Sequence, residues 1–496
     1  MSSSEKKTET LEEKLAKPEA VAEIKELENN LKILPIYPKY LGKVKELIPY
    51  LTPWAEWMEC AKIQYILLET RCEFGQADKN NVSELSEALN KISPAVMCYI
   101  EDNMTHHDQL AVLEEIGRYV SKKTKALLHP GTTSYDILDT ARSVLFKKAW
   151  SEIIRPEAVK TITALCNLAK TYEDRLIAGR THLQLTSPIL LGSFFASYAG
   201  RLAERLTECD NYLNNLKGKM SGIVGTGAGI EMVIGQGQGL EFEKIVLKKL
   251  ELLPDNTAFQ IVQKEGLSDV GHGLGTLSLI LCNLGDDLRL LYSSGIKELY
   301  SAAKAKTLGM SSTDAAKENP VDPEHLAGKA GELFGDAVMG SWLIMTNLQR
   351  DLRNSGPLRE FPQRLMTQLY ESLKRTNKEL KDVRVNVESI ESNLKEVERL
   401  PSEAMTTILR GEPGWIHSIY GLGHDFVKAM SLRAKNNKTK LIDEALQDKE
   451  FAALYETLID EKKSILNGQL KLYTGFAKEK IKSNIEYANS VINKKL

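Results

Sequence analysis

The chain has 496 residues, with 65 Lys and Arg against 67 Asp and Glu and a formal net charge of −2. That balance excludes capture of nucleic acid or an acidic membrane by bulk charge, which needs a concentrated positive field. With 42% hydrophobic and 27% charged residues, the composition matches a soluble globular chain and excludes pervasive disorder.

The opening MSSSEKKTETLEEK alternates acids and bases without an apolar run, so neither a secretory signal nor a membrane anchor is expected there. Residues 1–33 read as a charged N-terminal extension, in which Pro18 opens a short helix running to about Leu31. From Trp54 to about Glu73 apolar residues recur at helical spacing, and most of the later chain is helical by the same test, with strand signals almost absent. His106-His107-Asp108 lies in an otherwise helical stretch; adjacent histidines face different ways and are poorly placed to share a metal. In LHPGTTSYD, the residues Gly131, Thr132, Thr133 and Ser134 precede a helix, where free N–H groups and hydroxyls suit an anion.

GRTHLQLTSP presents His182 and Gln184 just ahead of a long helix expected from Pro188 to about Leu216. The nearly apolar run from Ser187 to Gly200 is shorter than a membrane span and ends at Arg201. The glycine-rich Ser221–Leu240 lacks the third glycine of a dinucleotide fingerprint in every register. It reads either as a crossover or as a backbone-rich loop reaching a substrate. Val270, Leu274, Leu277, Leu281, Leu284, Leu288 and Leu291 then step by four and three, which predicts a long helix burying one stripe. GMSSTDAAKENP places Ser311, Ser312, Lys317 and Asn319 in a loop, with a helix resuming after Pro320. The part from about residue 385 is again helical. Helices this long tend to bundle and to pair between subunits, so a homo-oligomer is expected. Six scattered cysteines with no CxxC pair fit a reducing, cytoplasmic location and give no thiolate metal site.

Taken singly, Thr133 and Ser134 read as helix caps, His182 as a satisfied polar residue and Lys317 as a solvated one. Together these segments supply a hydroxyl, an imidazole, a cation and several anion-binding hydroxyls, a set suited to proton abstraction beside a carboxylate.

In this order LHPGTTSYD, GRTHLQ and GMSSTDAAKENP resemble the three signature regions of the fumarase/aspartase superfamily. The pair His107-Asp108, Lys39-Tyr40 in PIYPKYLGKV, Gln260 in FQIV, and Arg350, Ser355 and Arg359 in QRDLRNSGPLRE are similar to its adenylosuccinate lyase branch. The resemblance covers about residues 35–400. It implies an all-α, three-domain helical fold: an N-terminal domain over 34–128, a central long-helix bundle over 129–384 forming a homotetramer core, and a C-terminal domain over 385–496. It also implies β-elimination of fumarate from a succinyl nucleotide at sites shared between subunits, with no metal and no organic cofactor. Ser311 would be the base, His182 the acid with His107 beside it, and Lys317, Ser312 and Asn319 would hold the carboxylate whose charge grows. Thr133 and Ser134 would bind the succinyl carboxylates, Asp108 and Gln260 the substrate, and Arg350, Ser355, Arg359, Lys39 and Tyr40 the phosphate. The sequence departs from the pattern at Asp314 and Ala315, where Met and Pro are usual, at Leu183 and Leu185, at Lys39, and in Gln263-Lys264-Glu265-Gly266. Those departures leave open another fumarate-releasing C–N lyase or a weakly active helical scaffold.

Overall fold

The four-and-three stripe folds as one helix, Glu265–Tyr292, and Val270, Leu274, Leu277, Leu281, Leu284 and Leu288 are all buried. Against it pack Leu191–Asn214, Val321–Gly328, Ala330–Trp342 and Phe361–Asp382. Gly275 is what lets Ala330–Trp342 come so close, because a Cβ there would meet the Ala337 side chain at 2.4 Å. Leu281 is fully buried in this core, so Leu281→Ala should cost about 2–5 kcal/mol. The structure is a computed structural model that describes residues 9–303, 309–413 and 415–494. It is all-α, and among the described residues the strands form only two-stranded sheets.

Two further apolar clusters stand apart from the long bundle. One joins Pro53–Glu73 to Ser134–Lys148 and takes in Ile230 and Ile234 of the glycine-rich segment. The other lies near the C-terminus, around Met405, Phe426 and Phe451. The final helix, Ala477–Ile492, returns to the long bundle and packs on Leu191–Asn214. The N-terminal helix forms as Pro18–Asn30, with Pro at its first position, and lies against Pro94–Ile100.

One local expectation is corrected and another made more exact. The helix expected from Pro188 begins at Leu191, because Gln184–Leu190 is a strand paired antiparallel with Leu176–Thr181. Pro188 disfavours helical geometry at Ser187, so the chain stays extended until the proline is passed. His106 and His107 stand between two helical stretches, and Asp108 opens the second. His106 adopts a left-handed conformation (φ 50°), which ends one helical stretch, and His107 caps the next, Asp108–Gly117. No helix among the described residues is long and apolar enough to cross a membrane.

Candidate active site

The helix Ser134–Lys148 organises the site from its first turn. Thr133 caps it, donating its backbone N–H to Asp136 Oδ2 at 2.7 Å. Asp136 is buried, ion-paired to buried Lys219, and receives N–H groups from Ser221 and Gly222, each at 3.1 Å. Burial pushes its carboxyl up, against the pull of Lys219. The glycine-rich segment therefore clasps the start of this helix. Gly131 (φ +79°) touches the Gly229 backbone so closely that a Cβ would sit 2.8 Å from the Gly229 carbonyl oxygen. With Thr133 taken up by the cap, Ser134 is the hydroxyl left to the site, and its Oγ lies 3.1 Å from His107 Nε2. The other ring nitrogen, Nδ1, stands 3.4 Å from Asp108 Oδ1.

His129 joins this group and was not singled out by sequence reasoning. Its Nδ1 is 3.0 Å from Gln64 Nε2 and 3.0 Å from Thr132 Oγ1. Burial, and then the nearby His107, push its pKa down to about 4, so the ring is neutral at pH 7. Its only sequence signal is its place in His-Pro-Gly, where it takes a left-handed conformation (φ 66°).

A second cluster adjoins the first through Tyr135. The Arg350 guanidinium carbon lies 3.7 Å from the Tyr135 ring centroid, one Nη donates to Gln260 Oε1 at 3.2 Å, and the other is 3.5 Å from Ser355 Oγ. Tyr135 Oη closes the set, 3.2 Å from Ser355 Oγ. Asn354, buried, donates to the Leu343 carbonyl at 2.7 Å and holds this loop down. Arg359 stands beside Glu101 and Asp108. Burial raises the Glu101 carboxyl, Asp108 adds to that, and Arg359 opposes it. Among the described residues neither Arg350 nor Arg359 is within ion-pair distance of a carboxylate, whereas Arg142, Arg155, Arg180 and Arg375 all are. Two guanidiniums that no carboxylate among the described residues pairs with, near a histidine and a serine, make a place for an anion.

One chain thus brings together His107, Asp108, Ser134, Gln260, Arg350, Ser355 and Arg359. Thr133 lies next to Ser134 as the helix cap, but the chain does not bring Lys39, Tyr40, His182, Ser311, Ser312, Lys317 or Asn319 to them. Tyr40 packs edge-on to His325, ring centroids 5.5 Å apart, near Arg375, and Lys39 beside it is exposed. His182 sits exposed at the tip of the Leu176–Leu190 hairpin, where both His182 (φ 53°) and Leu183 (φ 60°) are left-handed. Ser311, Ser312 and Lys317 lie between the short strands Gly309–Met310 and Glu318–Asn319, with Asn319 in the second. There the Ser311 Oγ accepts N–H groups from Thr313 at 3.2 Å and Asp314 at 3.0 Å. Asp314 Oδ1 accepts the Ala316 N–H at 3.1 Å, so its carboxylate closes the loop on itself.

A family model described as Lyase matches residues 58–335, more than half of the chain. The chain belongs to this lyase family. The matched span of this lyase holds His107, Ser134, His182, Gln260 and the Ser311 loop, while Arg350, Ser355 and Arg359 lie beyond it. The lyase is 27% identical over 448 residues to adenylosuccinate lyase of Archaeoglobus fulgidus, covering 88% of this chain and 96% of that one. It is 29% identical to adenylosuccinate lyase of Pyrococcus horikoshii over 78% of this chain and 82% of that one. Among solved structures it is similar to a fumarate lyase from Mesorhizobium sp. BNC1, with TM-score 0.75, 20% identity, and coverage of 91% of this chain and 100% of the other. It is also similar to the 3-carboxy-cis,cis-muconate lactonizing enzyme from Pseudomonas putida, with TM-score 0.74, 17% identity and coverage of 94% and 99%. These structures share the fold.

Proposed function

We propose that this lyase is an adenylosuccinate lyase, releasing fumarate from adenylosuccinate to give AMP and acting likewise on the succinyl-carboxamide ribotide of purine synthesis. The observation that carries this reading is the pair Arg350 and Arg359, which among the described residues make no ion pair, Arg350 over Tyr135 next to Ser134 and Arg359 near Asp108 next to His107. A substrate lacking a phosphate has no need of both. The relatives named adenylosuccinate lyase over most of the chain support the same substrate class.

In the proposed reaction the Ser311 oxygen takes a proton from the succinyl Cβ, and the electron pair moves into the adjacent carboxylate as an aci-carboxylate. Collapse of that species forms the double bond of fumarate and breaks the C–N bond, while an imidazole protonates the departing nitrogen. An alkoxide on Ser311 is costly in water, and the two N–H groups aimed at Oγ from Thr313 and Asp314 lower that cost. Lys317 and Asn319 would face the carboxylate that gains charge, with Ser312 beside them. Ser134 orients the succinyl group, Asp108 stands by His107 Nδ1, and Gln260 and Ser355 hold the nucleotide together with Arg350.

His182 and Ser311 both stand on exposed loops away from the Ser134 cluster. This favours a homotetramer in which neighbouring copies supply the hairpin and the loop to each cluster, and in which Lys39 and Tyr40 complete a phosphate site. Two departures from the family pattern have local structural uses that leave this reading intact. Lys264 is buried and ion-paired with Asp139 at 2.6 Å, so the altered segment after Gln260 is used inside the fold. The Asp314 carboxylate is taken up by the Ala316 N–H.

The test compares adenylosuccinate with its 5′-dephosphorylated nucleoside. The nucleotide should be turned over with kcat/KM higher by about 100-fold or more, the worth of two charged contacts. Equal turnover of both would overturn the phosphate assignment, and with it the choice of substrate.

A further inference from the structure

Arg180 of the GRTHLQ segment has no part in the proposed reaction, yet it anchors the hairpin that carries His182. Its two Nη atoms meet both carboxylate oxygens of Glu298, at 2.8 and 2.9 Å. Glu298 is fully buried and stands just before the strand Leu299–Ser301. Its Oε1 also accepts Asn393 Nδ2 at 2.9 Å, and its carbonyl accepts the Asn386 N–H at 2.8 Å. The carboxylate is thus fixed by the strand it precedes and by the helix Val387–Arg399, which Asn386 caps. Arg180 Nη1 donates in addition to the Ala178 carbonyl at 3.1 Å, which ties the fork to its own strand.

The backbone carries this fixed point on to the hairpin tip. Pairing slips between Ala178 and Arg180, and Gly179 sits in the slip, where a Cβ would run into the Ser187 carbonyl oxygen. Such a bulge re-aims the strand beyond it. Past the bulge Arg180 pairs with Leu185 and Thr181 with Gln184, and His182 and Leu183 close a two-residue turn with both backbones left-handed. A turn of that kind follows the twist of the strands it joins, so the direction of the strands sets the direction of the tip. Nearer the root, Ser187 Oγ donates to Glu403 Oε2 at 2.9 Å, and Ala178 packs with Val397 and Leu470. His182 is exposed, two residues beyond an ion pair whose side chains are 13% and 1% exposed. Holding a fold together is a poor use for such a pair. Taking two ions out of water costs about as much as their attraction regains, and neutral side chains of similar volume often serve stability as well. A two-pronged guanidinium–carboxylate contact does fix direction as well as distance.

We propose that Arg180 and Glu298 are a positioning pair, whose two-pronged contact aims the His182 imidazole at the departing nitrogen. Neutral residues of the same size would leave the fold intact and the imidazole misplaced. The inference rests on the reading of His182 as the acid. Protonation of the departing nitrogen belongs to the transition state, so misplacement lowers kcat and leaves KM as it is. A displacement of about 1 Å is enough to cost about 100-fold in rate.

Arg180→Met combined with Glu298→Gln removes both charges and keeps the volume. The full-length double variant should melt within a few degrees of the wild type. It should turn over adenylosuccinate with kcat lower by about 100-fold at a KM within about twofold of the wild type. Hydrogen–deuterium exchange of the peptide spanning residues 176–190 should be faster in it, with exchange in the Glu265–Tyr292 helix unchanged. Unchanged kcat would overturn the proposal, as would a loss carried by KM alone. A lower melting temperature with full kcat would assign the pair to the fold and overturn it too. Where the double variant does not fold, Arg180→Lys decides. It keeps a charge beside Glu298 but only one prong, so kcat should fall about tenfold, and unchanged kcat overturns the proposal there as well. Should the wild type leave adenylosuccinate intact, the assigned reaction fails, and the exchange measurement decides the positioning by itself: unchanged exchange over residues 176–190 overturns it.

Discussion

Arg350→Lys isolates the role of the guanidinium fork. Arg350 reaches Gln260 with one Nη and Ser355 with the other while its plane covers Tyr135. A lysine keeps the charge but cannot span both partners or stack in the same way. One charged hydrogen bond to the phosphate is worth about 1.5–3 kcal/mol. Losing the second prong should therefore raise the KM for adenylosuccinate roughly 10–100-fold, with kcat changed far less, because the phosphate is held equally in the ground and transition states. The lost contact with Tyr135 adds a smaller term of about 0.5–2 kcal/mol, visible as a lower melting temperature. Steady-state kinetics on AMP release measures both constants. A variant with unchanged KM would refute the placing of phosphate at Arg350, and one with unchanged KM but lost kcat would move Arg350 into the chemical step.

Other substitutions probe different parts of the account. Ser311→Ala and His182→Ala should each abolish turnover, and hybrid oligomers refolded from a mixture of the two should recover part of it; no recovery would count against sites shared between subunits. Leu183→Gly should stabilise the hairpin by about 1 kcal/mol, because Leu183 bears a left-handed backbone that glycine adopts freely; a lowered melting temperature would show that its side chain is needed instead. Glu371 is buried, which by itself would raise its carboxyl, yet His325, Arg375 and Lys329 hold it down at about 2. Its folded pKa lies below its unfolded value near 4.5, so its stabilisation is full above pH 4.5 and is lost as pH falls toward 2. Glu371→Gln should then cost about 3 kcal/mol at pH 7 and progressively less below pH 4.5. A cost independent of pH would assign the loss to packing.

Much of this was legible in the sequence, and the exceptions have physical causes. The Glu265–Tyr292 helix could be read from seven residues, because a buried stripe on a long helix leaves a period that nothing else imitates. The Leu176–Leu190 hairpin could not, since its apolar residues, exposed Leu183, Leu185 and Ile189 among them, do not alternate cleanly with polar ones and run on into the helix that follows. Ser134 and Thr133 looked alike as candidates, and only the fold shows that the backbone N–H of Thr133 is given to Asp136 while the Ser134 hydroxyl faces His107. His129 was hidden because its neutral state depends on burial and on the nearby His107, which only the fold supplies. That Arg350 and Arg359 make no ion pair among the described residues was equally hidden, because a carboxylate partner is a fact of three dimensions. Lys264 shows the reverse, a departure from the family pattern whose use is a buried ion pair with Asp139.

The central claim is tested most directly by incubating the purified protein with adenylosuccinate and following its ultraviolet absorbance, with AMP and fumarate quantified at the end point. The account predicts equimolar AMP and fumarate from the wild type and neither from a folded Ser311→Ala. A folded oligomer that leaves adenylosuccinate intact would contradict it, as would a Ser311→Ala variant that still releases fumarate.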